Sequence, residues 1–227
     1  MTNYLRQITI PFEGIAQVHS LADVEDPASL SKGCIVWRFS HVREGAKLGR
    51  DVMIGNYCFV DVDVTIGKKT RVQNGVSIYN GTTVGDEVFI APNATLSNCR
   101  HPMIRNEETN DFSPDKIIVE DYATIGINST LVSPIAVGEG SFVGGGSVVT
   151  SDVFPYTLVY GNPAKMVKGI CRCHSTIPKE WVEGQVFYDS NENIFTCTYC
   201  GRQYKKMKMG AGTWEGRVVI VSAGRRE

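Results

Sequence analysis

Little in these 227 residues points to a membrane or to nucleic acid. No run of 18 apolar residues occurs, which argues against a membrane-spanning helix. No charge dominates: 23 basic and 24 acidic side chains leave a net charge of −1, so no general nucleic-acid or membrane surface is expected. The opening MTNYLRQITIPF lacks the charged-then-apolar layout of a signal peptide, so the expected compartment is the cytoplasm. Histidine is scarce, with His19, His41, His101 and His174 the only four. A catalytic metal held by three converging histidines is therefore disfavoured, because only His41 and His101 are remotely available for it.

Helical periodicity is also missing from the longest patterned stretch. Between Val18 and Leu96 every sixth residue is aliphatic: Val18, Val24, Leu30, Val36, Val42, Leu48, Ile54, Val60, Ile66, Val72, Ile78, Val84, Ile90 and Leu96. The count resumes at Val119, Ile125, Leu131, Val137, Val143 and Val149. A helix would place apolar residues at i+3 and i+4, and a plain strand at every second position. A period of six predicts a solenoid in which each hexad is a short strand and a turn, and three hexads close one triangular coil. The aliphatic residue points inward. Small or β-branched residues such as Ala22, Ser40, Thr70 and Ser129 fit four positions later, and Gly often follows directly, as at Gly49, Gly126 and Gly144, where it suits the turn.

Residues 97–118 break the count, since the 23-residue step from Leu96 to Val119 is not a multiple of six. A polar, proline-containing insertion in a solenoid projects as a loop, on the binding side or as a tolerated surface excursion. Pro155 and Pro163 end the regular pattern. The expected organisation is a β-solenoid over 1–169, a small module over 170–204 and a tail over 205–227, whose VVIV at 218–221 pairs as a strand or stays loose.

Four of seven cysteines crowd into that module. Cys171-x-Cys173 and Cys197-x-x-Cys200 form two paired-thiolate turns able to enclose a tetrahedral Zn²⁺ with no open position, a structural site. His174 is an alternative ligand to Cys173. Between the pairs, QVFYDSNENIF reads as a hairpin turning at Ser190–Asn193. Cys34 and Cys58 occupy the small-residue slot of the repeat and read as core cysteines.

The hexad pattern resembles the hexapeptide-repeat transferases, which implies a left-handed parallel β-helix, an all-β fold here extended by a zinc-ribbon-like domain. SFVGGGSVVTSDVFPYTLVYGNPAKMVKG resembles their acyl-CoA-binding end, with the G-x-P-A-[KR] segment at 161–165. That resemblance implies acetyl-CoA against Gly126, Gly144, Gly145, Gly146, Pro163 and Ala164, with Lys165 and Lys168 meeting its phosphates; otherwise the glycines serve turns and the lysines are solvated. It also implies a homotrimer with sites between subunits. The W-x-F-x-H-V at 37–42 and Q-N-x-V-S-I-Y at 73–79 resemble the nucleotide-linked 3-amino-sugar N-acetyltransferases, whereas IGNYCFV at 54–60 departs from that family's Gly-Gln-Asn type of turn. The implied activity is acetylation of an amino group on a nucleotide-linked sugar, for surface polysaccharide precursors.

A sugar amine has a pKa on the order of 8, so a useful fraction is already neutral and positioning supplies much of the rate. A histidine base is optional for such a transfer but is usually required for a hydroxyl acceptor. The resemblance implies Asn74 as the residue holding the amine; the other reading is a turn asparagine bonding its own backbone. Gln73, Tyr79, Asn98, Arg100, His101 and Arg105 are candidate sugar or diphosphate contacts, the arginines suiting anionic groups. Trp37 and His41 are candidates for the nucleotide pocket, with packing on the next coil the alternative for Trp37. Two other functions stand beside this one: O-acetyl transfer with His101 as base, and a non-catalytic trimeric assembly module.

Overall fold

The computed structural model describes residues 5–10, 14–102, 113–177, 194–208 and 218–222. Among these there is no helix. The period of six is a parallel β-solenoid whose two-residue strands stack into three faces. Face 1 carries the strands at 35–36, 53–54, 71–72, 89–90, 124–125 and 142–143. Face 2 carries 23–24 through 148–149, seven strands and so seven coils, and face 3 carries 29–30 through 135–137. Opposed residues are 18 apart, as in Gln17 opposite Ile35 and Ser77 opposite Thr95. Across the insertion the spacing becomes 35, as in Thr95 opposite Thr130, with the register of faces unchanged. The insertion therefore leaves the stack between face 2 and face 3.

Of the twenty period-six aliphatic residues, all but Val24 are buried, and Val24 packs against the same core. The small-residue slot is buried too, and it has a bonding role. Ser40 Oγ donates to the Gly55 carbonyl of the next coil (2.5 Å) and accepts from the Cys58 N–H (3.0 Å). Thr70 repeats this with Gly85 (2.9 Å) and Val88 (3.0 Å). Corner backbone groups that a two-residue strand cannot pair are satisfied this way. Cys34 and Cys58 sit in that slot as expected, and burial pushes the Cys58 thiol above its ordinary range.

The glycines after the aliphatic residues have a different cause from the turn geometry expected of them. A Cβ on Gly126 would lie 2.5 Å from the Gly145 nitrogen, so these positions need close approach between coils. Left-handed backbone falls two residues later, where glycines such as Gly33, Gly45 and Gly75 share the slot with ordinary side chains: Phe39, Asp51, Tyr57, Asp63, Lys69, Glu87, Asn93, Tyr122 and Asn128 all have φ between 53° and 61°.

At one end Leu5–Ile10 pairs antiparallel with Gly14–His19. At the other, Thr157–Gly161 is the last parallel strand, and the chain then reverses into Ala164–Ile170 and Thr176–Ile177. Ile194–Thr196, Gln203–Lys208 and Val218–Ser222 form a separate antiparallel sheet, so the apolar run at 218–221 is paired. The hairpin turn expected at 190–193 lies outside the described residues. A second core joins the two sheets: Tyr156 from the last coil packs with Cys171, Ile177, Cys197 and Tyr204. The Tyr156 and Tyr204 rings meet at 4.9 Å and 68°.

Candidate functional site

The 18-residue coil gathers the sequence-predicted residues onto two corners of one edge. On the corner between faces 1 and 2 lie Trp37, Gln73, Asn74, Gly126, Gly144, Gly145 and Gly146. Three coil steps separate Gln73 from Gly144, about 14 Å at ~4.8 Å per step. The hairpin holding Pro163 and Ala164 follows directly, since Gly144 N–H donates to the Val159 carbonyl (2.7 Å) and Gly161 N–H to Ser147 Oγ (3.3 Å). This end of the corner is close-packed at Gly144 and Gly145, where a Cβ would meet Tyr160 Cβ at 2.8 Å and Ile127 Cγ2 at 3.0 Å, and open at Gly146. Gly146 has φ 69° with nothing within 4 Å of where its Cβ would stand. Lys165 is exposed, and it lines a cavity of about 180 Å³ with Asp152, Phe154 and Met166. Lys168 donates its ammonium to Thr176 Oγ1 at 2.9 Å, which ties it to the neighbouring strand.

Asn74 is exposed, but its amide oxygen is occupied. Oδ1 accepts from the backbone N–H of Asn56 (2.8 Å) and from Asn56 Nδ2 (3.1 Å). The backbone donor fixes which atom is oxygen, so both acceptor sites are spent on the coil above. Asp86 and Asp121 do the same at another corner, taking the N–H groups of Lys68 (2.9 Å) and Asp86 (2.8 Å). What Asn74 retains is a donor, its Nδ2.

The corner between faces 2 and 3 carries Tyr79, Asn98, Arg100 and His101. Arg100 is committed to the protein: its Nε donates to the Ser133 carbonyl (3.2 Å), an Nη to the Thr150 carbonyl (2.9 Å), and its N–H to Asp115 (3.1 Å). It staples the root of the insertion to two later coils. The Asn98 carbonyl accepts the Asp115 N–H (2.9 Å) and closes that root. His101 is exposed. Arg105 lies outside the described residues.

Aromatic rings run across face 2 to the second corner at Tyr79. His41 meets Phe59 edge-on at 5.8 Å, and Phe59 meets Tyr79 at 5.5 Å. His41 Nε2 stands 2.5 Å from Glu25 Oε1, and Arg43 bridges Glu25 (3.7 Å) and Asp61 (3.0 Å). The Glu44 N–H, and then His41, hold the Glu25 carboxyl below its usual range. Glu25 was missed in the sequence because nothing in a hexad marks which carboxylate faces the next coil's histidine.

Phe39 and Tyr57 were missed as well, although the sequence held a signal. The left-handed position of this corner is Gly75, Asn93, Asn128 and Gly146 in later coils and an aromatic in two adjacent early ones. Their exposed rings stack at 5.0 Å and 23°, beside the half-buried Trp37.

The four module cysteines converge, their sulfurs all within 4.8 Å of one another. Sulfur separations of 3.3 Å (Cys171–Cys173), 3.6 Å (Cys171–Cys200) and 3.7 Å (Cys173–Cys197) approach the ~3.8 Å edge of a tetrahedron with metal–sulfur bonds of about 2.3 Å. His174 is not part of the cluster, because its ring packs edge-on against Phe142 at 5.5 Å. Gly201 (φ 71°) turns the chain so that its N–H reaches the Cys197 carbonyl (2.9 Å). Tyr204 donates its hydroxyl to Cys171 Sγ (2.8 Å). Burial raises the Cys197 thiol, but Ser175 and backbone N–H groups outweigh this and bring it down to about 6.

Comparison with known proteins agrees with the repeat. The model described as bacterial transferase hexapeptide (six repeats) matches residues 63–98, and that of the hexapeptide repeat of succinyl-transferase matches 45–80 and 116–151. The bifunctional protein GlmU of Bartonella quintana is 33% identical over 130 residues, covering 57% of this chain and 26% of that protein. GlmU of Thermotoga petrophila is 36% identical with the same coverage, so the match spans about a quarter of the length of these relatives. A hexapeptide-repeat acetyltransferase of Vibrio cholerae, solved with acetyl coenzyme A, is 27% identical with a TM-score of 0.49, covering 55% of this chain and 70% of that one. This chain carries the hexapeptide repeat of bacterial transferases over residues 45–98 and 116–151.

Proposed function

We propose that the chain is an acetyl-CoA-dependent N-acetyltransferase that acetylates the amino group of a nucleotide-linked amino sugar, working as a homotrimer in the synthesis of surface polysaccharide precursors. The observation that carries this reading is the corner that aligns Gly126 and Gly144 to Gly146, over three coils, with Gln73 and Asn74, a track open at Gly146. A pantetheine arm laid along that track would bring its thioester toward Asn74. The neutral amine then attacks the thioester carbonyl, the carbon–sulfur bond breaks, and the departing thiolate takes the proton. With its oxygen engaged, Asn74 serves this step as a donor to the developing oxyanion or a sugar hydroxyl, not as the acceptor that holds the amine. Gln73, Tyr79, Asn98 and His101 remain the sugar-side candidates. Phe39 and Tyr57, beside Trp37, offer a flat face to the nucleotide base. The four cysteines would hold Zn²⁺ in a closed structural site.

Gly146→Asn tests the track. Asparagine tolerates the left-handed backbone and the space is open, so folding is preserved while a side chain enters the groove. The KM for acetyl-CoA should rise roughly tenfold or more at unchanged melting temperature, a change of the size one lost good contact gives. An unchanged KM would remove acetyl-CoA from this corner.

A second reading has its own observation. Transfer to a hydroxyl needs a base, and His41 oriented by Glu25 is a better-placed one than the exposed His101 expected to serve. Under that reading His41→Gln abolishes turnover, and under the main reading turnover persists.

A further inference from the structure

On the far edge of face 1, at the corner with face 3, the last coils and the cysteine segment enclose a cavity of about 600 Å³. Sites for small molecules span about 300–1,000 Å³. Phe89 and Phe142 line it from face 1, Glu87 and Tyr122 from the corner, and Arg172 and His174 from the turn that carries Cys171 and Cys173. The Arg172 guanidinium lies 3.1 Å over the Tyr122 ring, and among the described residues no carboxylate pairs with it. Among the described residues its side-chain N–H groups make no hydrogen bond either. His174 stands edge-on to Phe142 and shows no hydrogen bond from its ring among the described residues. Glu87, the one carboxylate among the described residues lining the cavity, has an oxygen 3.9 Å from the Lys69 ammonium.

The left-handed slot of the repeat puts the Tyr122 ring (φ 61°) in the lining, and His174 also stands on left-handed backbone (φ 67°). Ser141, also in the lining, has a buried Oγ with no partner among the described residues. Its counterpart Ser129 donates to the Gly144 carbonyl (3.1 Å), but the carbonyl in the matching place, that of Tyr156, accepts the Ile170 N–H (2.7 Å).

We infer that this cavity binds a small aromatic or heterocyclic anion, its ring among Phe89, Tyr122 and Phe142 and its carboxylate or phosphate on Arg172 and His174, and that a metal on the four cysteines holds those two side chains in place. Arg172 lies between two ligand-bearing residues and His174 follows the second, so the metal fixes the turn that presents both. The balance of donors over acceptors selects an anion, and the three rings select a flat one.

Calorimetry on the full, zinc-loaded chain tests this with two probes, nicotinate for the carboxylate and adenosine 5′-monophosphate for the phosphate. At least one should bind, and Arg172→Met should weaken it roughly tenfold or more. Tyr122→Asn keeps the backbone tolerable and should weaken it as well. Removing zinc with a chelator should weaken binding comparably while the β-sheet circular dichroism of the coils persists. Acetyl-CoA binding should be unchanged in Arg172→Met. No heat with either probe, or binding indifferent to both substitutions in folded variants, overturns the site. Binding that survives zinc removal at full strength overturns the metal's part in it.

Discussion

Phe39 and Tyr57 are among the least expected side chains of this chain, because an L-residue in the left-handed region costs roughly 1–2 kcal/mol and neither can bond its own backbone as asparagine does. Other ordinary side chains hold the same slot, so it is the stacked pair of exposed rings that marks these two positions. Tyr57→Asn should therefore leave stability unchanged or raise it by about 1 kcal/mol, while the KM for the nucleotide sugar rises; thermal melts beside steady-state kinetics check both halves. Glu25 offers a pH-dependent counterpart. Its folded pKa is lowered, so the stability it contributes is present above the unfolded carboxylate value and is lost as pH falls through the folded one. The melting difference between the native chain and Glu25→Gln should be full at neutral pH and vanish in strong acid. The same two positions show what a sequence withholds. Phe39 and Tyr57 were readable once aligned at 18-residue spacing, whereas the facing of Glu25 and His41 depends on which turn of the coil meets which.

Each hexad buries one aliphatic side chain against the coils above and below, so a coil has no core of its own. Ile78→Ala removes a fully buried side chain from a middle coil and should cost about 2–5 kcal/mol in denaturant unfolding. The insertion is held differently, by Arg100 reaching Ser133 and Thr150. Arg100→Ala should speed limited proteolysis within residues 97–118 while shifting the melting temperature much less than Ile78→Ala does. Reading the arginine as a diphosphate contact was natural from the sequence, since a guanidinium suits anions and carbonyls alike and only the fold shows which it meets. The coils were legible to the residue because a period of six admits no other regular element. The glycines that follow the aliphatic positions were legible in place but not in cause: they answer to inter-coil clearance, a distance no local turn rule contains.

The assembled chain is a stack with a chemically distinct edge and a four-cysteine cap that share one core through Tyr156. Its cysteine pairs announced themselves by spacing, and four sulfurs within 4.8 Å of one another bear that spacing out. The cavity beside them had no such announcement, because its walls come from coils and a turn far apart in sequence. The acceptor is where spacing stops helping, since sugar and nucleotide are recognised by side chains from several coils at once. Mass spectrometry of the products formed from acetyl-CoA and a panel of UDP- and dTDP-linked 3- and 4-amino sugars addresses it. The account predicts a product one acetyl group heavier, attached at nitrogen, formed by the native chain and still formed by His41→Gln and His101→Ala. Acetyl-CoA bound but no amine acetylated, or acetyl found only on a hydroxyl and lost with His41→Gln, would contradict it.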